Sequence, residues 1–279
     1  MTDRRHEIAI VPAWPAPPRV RAYSTLRTGG VSRGGYSSLN LGDHVGDAPE
    51  AVAENRRRVA EQLALPSEPC WLEQVHGTDV LDLDGLDPDG RLDLLDRDGL
   101  NLNGLSRDAL GPGSTPARAG GTADAAVTSR AGVVCVVLTA DCVPVLLADR
   151  RGRRIGAAHA GWRGLVKGVL PNAVAALGVP PEDVVAWLGP AIGPAGFEVG
   201  DEVRAAFAAH GFSVDGAFAR NARGRWQADL HALAAESLAR AGVTALYRAE
   251  HCTFTDAERF FSHRREAPCG RMASVIWME

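Results

Sequence analysis

The chain has 279 residues, of which 46% are hydrophobic, 6% aromatic and 23% charged, and its formal net charge is -4 at pH 7. This composition is typical of a globular protein that is long enough to bury a sizeable core, in one large domain or two smaller ones. The balance of charge is mildly acidic and the chain has no block of Lys and Arg, so a nucleic-acid partner gets no support.

The N-terminal residues 1–7 (MTDRRHE) lead into a brief apolar run that lacks the apolar core of a secretory signal. No later segment approaches the roughly 18 uncharged apolar residues of a membrane span. The five cysteines are Cys70, Cys135, Cys142, Cys252 and Cys269. An odd number in a chain too long to need disulfides favours reduced thiols. We therefore expect a cytoplasmic protein without a membrane partner.

The first half of the chain predicts a helix followed by a loop insertion. Residues 50–65 carry Val52, Val59 and Leu63 at helical spacing, between an acidic start and Pro66. Residues 83–121 are rich in Asp, Gly and Leu and include the turn-forming runs DPDG and GPGSTP. We expect this segment to be an insertion of turns and loop, disordered in part.

Three buried strands are predicted next, over residues 131–140, 143–148 and 154–159. With a period of two, Val134, Val136, Leu138, Ala140 and Cys142 share one face of the first run. Ile155, Ala157 and His159 share a face of the third. Neighbouring strands would then aim Cys142 and His159 at one point.

The C-terminal half alternates helices and strands without a strict βαβ rhythm. Apolar spacing predicts helices over residues 165–177, 200–210 and 229–240, and strands over residues 184–188 and 271–278. The sequence shows neither an internal repeat nor a G-x-G-x-x-G or P-loop pattern, so a nucleotide-cofactor domain is not indicated.

His76, Cys142 and His159 are the candidate metal ligands, because each stands in a short segment next to an apolar run. Two imidazoles and one thiolate form a zinc ligand set that leaves a fourth position open, the arrangement of catalytic sites. The alternatives are a hydrogen-bonded structural histidine and a buried structural cysteine. The same residues would also form the thiolate and imidazolium pair of a metal-free cysteine hydrolase.

A series of motifs in one order resembles a known family. The motifs are residues 72–77 (LEQVHG), 123–125 (ADA), 140–146 (ADCVPVL), 159–164 (HAGWRG), 189–193 (GPAIG), 198–200 (EVG), 260–266 (FFSHRRE) and 270–271 (GR). Together with residues 38–42 (SLNLG), 45–47 (VGD) and 55–57 (NRR), they cover nearly the whole chain. The chain resembles the YfiH-like purine nucleoside phosphorylases, formerly described as multicopper polyphenol oxidases or laccase-domain proteins.

The resemblance implies an α+β fold: one domain over residues 1–279, a four-layer α/β/β/α sandwich of mixed sheets. It implies a Zn²⁺ site made by His76, Cys142 and His159. It also implies phosphorolysis of adenosine, inosine, guanosine and methylthioadenosine, with adenosine deamination as a second activity. An older claim of copper-dependent phenol oxidation and a link to the fidelity of peptidoglycan precursor synthesis belong to the same family.

Two departures from the family pattern stand out. Many relatives carry one or two cysteines just before the Glu-Val-Gly motif, where this chain has Ala195, Gly196 and Phe197, so those thiols are not expected to be required. The segment over residues 83–121 is longer than expected, and we interpret it as a loop rather than a cover for the site.

Phosphorolysis needs positive groups for phosphate, and the guanidinium fork of arginine matches phosphate oxygens. Arg163 is the first candidate, with a structural ion pair as its alternative role. Arg27 and Arg264 are weaker candidates, and a structural ion pair is the favoured role of Arg264. Asn40 would contact the nucleoside or bond backbone in a loop. Asp141 would orient a histidine ligand, carry protons, or cap a turn.

Three classes of function follow from these residues. The leading hypothesis is a zinc-dependent purine nucleoside phosphorylase that acts as a monomer. The second is a cysteine hydrolase, and the third is a non-enzymatic accessory factor of cell-wall precursor synthesis. Copper oxidation ranks low because eight histidines spread along the chain do not supply the His-rich clusters of a multicopper oxidase.

Overall fold

The computed structural model describes residues 5–85 and 120–279. Its helices are α1 (Arg5–Ile8), α2 (Pro49–Leu63), α3 (Trp162–Lys167), α4 (Val169–Ala176), α5 (Asp201–Ala209), α6 (Val214–Ala217) and α7 (Leu230–Arg240). Its strands are β1 (Ala9–Ile10), β2 (Val20–Thr25), β3 (Leu72–Glu73), β4 (Val80–Asp82), β5 (Gly120–Thr122), β6 (Ala125–Thr128), β7 (Cys135–Thr139), β8 (Val143–Asp149), β9 (Ile155–Ala160), β10 (Val184–Leu188), β11 (Glu198–Val199), β12 (Phe218–Arg220), β13 (Trp226–Ala228), β14 (Ala245–Arg248) and β15 (Met272–Met278).

Two sheets packed face to face form the centre of the protein. One has the order β1-β2-β15-β7 and is antiparallel throughout. The other has the order β14-β10-β8-β9-β6-β4 and is mixed, since its two outermost pairs are parallel. Helix α2 covers the outer face of the four-stranded sheet, while α4 and α7 cover that of the six-stranded sheet. This arrangement confirms the predicted four-layer α/β/β/α fold.

The core between the sheets explains why both central strands of each sheet are apolar. Val137 and Ile276 of the four-stranded sheet meet Leu146, Ala157 and Trp187 of the six-stranded sheet, and none of these side chains is more than 1% exposed. Burying each such side chain contributes about 1.5–3 kcal/mol to the free energy of folding. The sheets therefore form a fixed platform for the loops at their edges.

Helix α2 begins and ends where its sequence signals it. Pro49 occupies the first turn, where its missing N–H costs nothing, and Ala64 takes a left-handed conformation (φ 54°) just before Pro66. Val52, Val59 and Leu63 are buried, as their spacing predicts. The helix predicted over residues 50–65 is confirmed.

The prediction of a single helix over residues 165–177 is wrong, because the structure has two helices there. Gly168 has a φ of 102° and separates α3 from α4. Pro171 explains the break, since it has no N–H to continue the hydrogen bonds of α3 but fits the first turn of a new helix. The first of these helices starts at Trp162, so it follows β9 directly.

The remaining predicted elements agree with the structure apart from their ends. The Val-rich run over residues 131–140 forms a strand only over Cys135–Thr139. Its period of two holds as far as Leu138, since Val136 and Leu138 face α2 while Val137 faces the other sheet. The elements predicted over residues 143–148, 154–159, 184–188, 200–210, 229–240 and 271–278 correspond to β8, β9, β10, α5, α7 and β15.

The two ends of the predicted insertion over residues 83–121 are not loop. Leu83–Gly85 forms a short 3-10 helix whose Leu83 side chain is fully buried in the core. Gly120–Thr122 forms β5, which pairs in parallel with β3. Residues 86–119 lie outside the described residues.

A buried carboxylate at the end of β8 is expected to make stability depend on acidity. Asp149 is 0% exposed and accepts hydrogen bonds from the N–H groups of Arg151 and Arg153 and from the Arg153 guanidinium. Burial raises the pKa of Asp149, but these bonds outweigh it and hold the pKa below its ordinary value. A lowered folded-state pKa gives stability that is present above the unfolded pKa and is lost as the pH falls through the folded pKa.

Asp149→Asn should therefore lower the free energy of unfolding by about 1–3 kcal/mol at pH 7, the cost of weakened bonds to a charged group. The difference in the free energy of unfolding between the variant and the wild type should become smaller below about pH 4, as the wild-type carboxylate takes up its proton. Urea unfolding of both proteins at a series of pH values from 7 down to below 4 measures this difference. A difference that stays constant with pH would contradict the assignment.

None of the five cysteines forms a disulfide within the described part of the chain. Within residues 5–85 and 120–279, no helix combines the length and apolar character that crossing a bilayer requires.

Candidate metal centre

The candidate site lies where the chain passes from one sheet to the other. Strand β7 ends at Thr139 in the four-stranded sheet and β8 begins at Val143 in the six-stranded sheet. In between, Asp141 adopts a φ of 91°, a conformation that residues with a side chain rarely take. The Asp141 carbonyl accepts a hydrogen bond from the N–H of Ile192. This sharp crossover presents the Cys142 thiol beside the edge of both sheets.

His159 reaches the same point from the neighbouring strand. In the antiparallel register of β8 and β9, His159 lies opposite Pro144 and Ala160 opposite Val143. The imidazole is only 4% exposed. The short distance between β8 and β9 therefore brings the thiol and the imidazole together, as predicted. The alternation along residues 134–142 on which that prediction rested ends before Cys142, which lies in the crossover after β7.

His76 comes from the loop between β3 and β4 and has a left-handed backbone conformation (φ 58°). Gln74 ties this loop to the four-stranded sheet, because its side-chain amide donates to the Leu138 carbonyl and accepts from the Leu138 N–H. The His76 Nε2 lies 3.8 Å from Cys142 Sγ, and the rings of His76 and His159 have centroids 4.7 Å apart. Ligand atoms of His76, Cys142 and His159 all lie within 4.8 Å of one another.

Asp124 holds both histidines, a role that sequence reasoning did not assign to it. Its carboxylate accepts hydrogen bonds from the N–H groups of Val75, His76 and Gly77 at 3.2, 3.0 and 2.6 Å. It also lies 2.8 Å from His159 Nδ1. A proton on Nδ1, shared with the carboxylate, leaves Nε2 of His159 as the free electron-pair donor toward the cluster.

Of the three roles left open for Asp141, the orientation of a histidine finds no support in its hydrogen bonds. Its carboxylate accepts from the hydroxyl of Thr253 at 2.7 Å and from the N–H of Arg264 at 2.7 Å. Asp141 therefore joins two C-terminal loops beneath the site. The signal for Asp124 was its place as a lone acid among small apolar residues, since a buried carboxylate requires hydrogen-bond partners.

The cluster carries charges that suit metal binding. Burial raises the pKa of the Cys142 thiol, but the charge and hydrogen bonds of His159 and His76 outweigh it and lower the pKa to about 6. Burial lowers the pKa of His159, but the Cys142 thiolate and the Asp124 carboxylate outweigh it and raise the pKa to about 9. A thiolate is the ligand form of cysteine, and a metal ion would take the place of the imidazolium proton.

The donor set therefore fits a metal ion with two nitrogen ligands and one sulfur ligand, which zinc accepts. Among residues 5–85 and 120–279, His76, Cys142 and His159 form the one group of three or more such side chains close enough to share an ion.

Gly161 is expected to be essential for the cluster, since a side chain there has no space. A Cβ at this position would lie 2.6 Å from His76 Cδ2 and 3.0 Å from Cys142 Sγ. Gly161→Ala should weaken metal binding at least 10-fold, by pushing two ligands apart, while the fold is retained. Chelator competition measures the affinity. Gly216→Ala is the control, because the space around Gly216 is open, and equal affinities in both variants would contradict the packing argument.

A cavity of about 450 Å³ opens above the cluster. Arg163 and Arg264 both line it. The Arg163 guanidinium stacks on the Trp162 ring at 4.6 Å, and the structural ion pair considered for it is not found among the described residues. The Arg264 guanidinium donates to the Glu198 carbonyl at 2.7 Å. Arg271, His44 and His263 also line the cavity, and sequence reasoning did not assign them to the site.

The substrate roles predicted for Asn40 and Arg27 find no support in their positions, since neither residue lines the cavity. Asn40 is 0% exposed, and its amide bonds Gly42, Asp47 and the N–H of Arg271. The Arg27 guanidinium donates to the carbonyls of Ser37 and Ala257. Both side chains stabilise loops through hydrogen bonds to the backbone, which for Asn40 is the alternative role given above.

Sequence comparison places the chain among known proteins. A family described as multi-copper polyphenol oxidoreductase laccase matches residues 21–279. The chain is 45% identical over 271 residues to purine nucleoside phosphorylase PA4543 of Pseudomonas aeruginosa, which covers 97% of this chain and 98% of that protein. It is 46% identical over 269 residues to purine nucleoside phosphorylase YfiH of Escherichia coli K12, covering 96% and 98% of the two chains.

Solved structures show the same fold. The Neisseria meningitidis protein NMB0706 superposes with a TM-score of 0.81 at 43% identity, covering 97% of this chain and 99% of that one. YlmD from Geobacillus stearothermophilus superposes with a TM-score of 0.79 at 32% identity, covering 94% and 93%. The chain thus belongs to the YfiH-like family, the family described as multi-copper polyphenol oxidoreductase laccase.

Proposed function

We propose that the protein is a zinc-dependent purine nucleoside phosphorylase that acts in the cytoplasm as a monomer. The observation that carries the proposal is the convergence of His76, Cys142 and His159 within 4.8 Å, below a cavity lined by arginines. The similarity to the purine nucleoside phosphorylases of Pseudomonas aeruginosa and Escherichia coli supports this activity. Adenosine, inosine, guanosine and methylthioadenosine are the proposed substrates, and adenosine deamination is the proposed second activity.

The reaction breaks the bond between the purine nitrogen and C1′ and forms a bond from C1′ to a phosphate oxygen. Arg163 is proposed to hold the phosphate, because it lines the cavity and its guanidinium has no carboxylate partner among the described residues. Asp141 is proposed to position Arg264 and Thr253, since both of its carboxylate oxygens accept hydrogen bonds. When bound, zinc supplies a Lewis acid that also favours ionisation of water, the chemistry that deamination requires.

Two features favour zinc over copper, namely the type of the ligand atoms and the number of metal sites. A multicopper oxidase needs His-rich clusters in addition to one His₂Cys site. The described residues bring together one group of possible metal ligands, which has two histidines and one cysteine, and no further His-rich cluster.

The test is incubation of the purified protein with adenosine in the presence and absence of phosphate, with bound metal measured by mass spectrometry. We expect phosphate-dependent release of adenine and ribose 1-phosphate, together with slower formation of inosine. Zinc-loaded protein that turns over none of the four nucleosides would overturn the proposal and favour the accessory-factor hypothesis.

A cysteine hydrolase is the second candidate, favoured by the lowered pKa of Cys142 beside the raised pKa of His159. Alkylation of the thiol with and without a chelator separates the two candidates. Near-stoichiometric zinc that protects Cys142 from alkylation would exclude the hydrolase. A metal-free protein that is as active as the zinc-loaded one would support it.

A further inference from the structure

The cavity holds more positive charge than one phosphate ion requires. Three guanidinium groups line it, those of Arg163, Arg264 and Arg271. Among the described residues, the one carboxylate in the lining is Asp141, and both of its oxygens already accept hydrogen bonds. None of the three arginines forms an ion pair in the part of the chain that the structure describes. Elsewhere, arginines such as Arg58 and Arg154 do pair with carboxylates.

These positive charges come from opposite sides of the crossover between the sheets. Arg163 stands on α3, which follows β9 of the six-stranded sheet. Arg271 directly precedes β15 of the four-stranded sheet, where Met272 lies opposite Thr139. The crossover that carries Cys142 joins these two sheets. The cavity therefore has one positive pole at Arg163 and another at Arg271.

Hydrogen bonds hold Arg271 in place at its end of the cavity. Its N–H donates to the buried Asn40 amide, and its carbonyl accepts from the N–H of Leu41. One guanidinium nitrogen donates to the carbonyls of Cys269 and Gly270, and the others have no protein partner among the described residues.

His44 lies beside this pole. Its imidazole and the Arg271 side chain both come within 3.4 Å of the place where a Cβ on Gly42 would stand. The His44 Nδ1 also lies 3.6 Å from the carboxylate of Asp43, an acid that does not line the cavity.

We propose that Arg271 and His44 form a second anion subsite for a phosphate ester on the nucleoside, so that purine nucleoside 5′-monophosphates are substrates of this site. The inference rests on the proposed phosphorylase function, with orthophosphate at Arg163. The 5′ position is chosen because it is the ribose position that lies farthest from C1′, matching two separated poles.

The reaction balances without another reactant. The bond from N9 to C1′ breaks, the purine keeps the electron pair and takes a proton from monobasic phosphate or solvent, and a phosphate oxygen bonds to C1′. The products are the free base and ribose 1,5-bisphosphate.

The test compares adenosine with adenosine 5′-monophosphate in the zinc-loaded protein at fixed orthophosphate. We expect kcat/KM for the monophosphate to equal or exceed that for adenosine, and to fall more steeply with added salt, because salt screens the extra charge. Arg271→Gln should lower kcat/KM at least 10-fold more for the monophosphate than for adenosine. Arg271→Lys should restore part of this loss, since it keeps the charge without the fork.

Arg225→Gln is the matched control, because it removes the same charge from an exposed position outside the cavity and should leave the ratio of the two substrates unchanged. Turnover of adenosine with neither turnover nor competition by the monophosphate would overturn the subsite alone. An equal loss for both substrates in Arg271→Gln would also overturn it. Absence of turnover with both substrates would overturn the phosphorylase, and calorimetric binding of the two ligands to wild type and Arg271→Gln then decides the subsite.

Discussion

Cys142→Ala is expected to lose its bound metal and at least about 10³-fold in turnover, because a bound ion contributes several kcal/mol to catalysis. The change removes the one thiolate donor and leaves two imidazoles, which are too few ligands to hold zinc firmly. His76→Ala and His159→Ala should behave alike, since each removes one of the three donors that lie within 4.8 Å. Bound zinc by mass spectrometry and base release by chromatography measure the two losses.

The control for this loss is Cys70→Ala, which removes a half-buried thiol that does not line the cavity. It should keep both zinc and turnover. Far-ultraviolet circular dichroism shows whether each variant is folded. A folded Cys142→Ala protein that keeps stoichiometric zinc and full activity would contradict the metal centre, whereas zinc retained without activity would point to the thiol as a nucleophile.

Asp124→Asn is expected to weaken zinc binding by about 10–100-fold, the usual effect of removing a hydrogen-bond partner of a metal ligand. The carboxylate accepts three backbone N–H groups and lies against His159 Nδ1. An asparagine amide has only one acceptor oxygen, and its NH₂ group would face donors. Both histidines should then lose their fixed orientation. Chelator competition with the folded variant measures the affinity.

Asp84→Asn is the matched control for Asp124→Asn. The Asp84 carboxylate also accepts several hydrogen bonds, from Thr128, Ser129 and Arg154, but it lies outside the cavity. It should lower the free energy of unfolding by about 1–3 kcal/mol without changing zinc affinity. Equal zinc affinities in both variants would show that Asp124 serves the fold and not the ligands.

The sequence predicts the features of this fold that depend on local pattern. The predicted convergence of Cys142 and His159 is found, but the cause is the pairing of β8 with β9, since Cys142 directly precedes β8 and adjacent strands have a fixed spacing. The alternation along β7 does not extend to Cys142, because β7 ends at Thr139 in the other sheet. The break at Gly168 was missed, since the apolar stripe continues through it and hides the effect of Pro171.

Residues whose partners are distant in the chain were not predictable in this way. Asp124 bonds the loop at His76, which is 48 residues away, and His159, which is 35 residues away. Asn40 bonds Arg271 across 231 residues. A sequence read alone shows that such side chains are polar, but the tertiary fold decides whether they contact a substrate or a loop.

The hydrogen bonds of Asp124 to three successive amides have a consequence for the protein when the proposed zinc ion is absent. Small zinc domains collapse when stripped, because the cation organises them. Here a carboxylate already performs that task for the loop at His76, and the sheets supply the rest of the scaffold. A shortage of zinc should then abolish the activity reversibly, while the protein stays folded and able to bind zinc again.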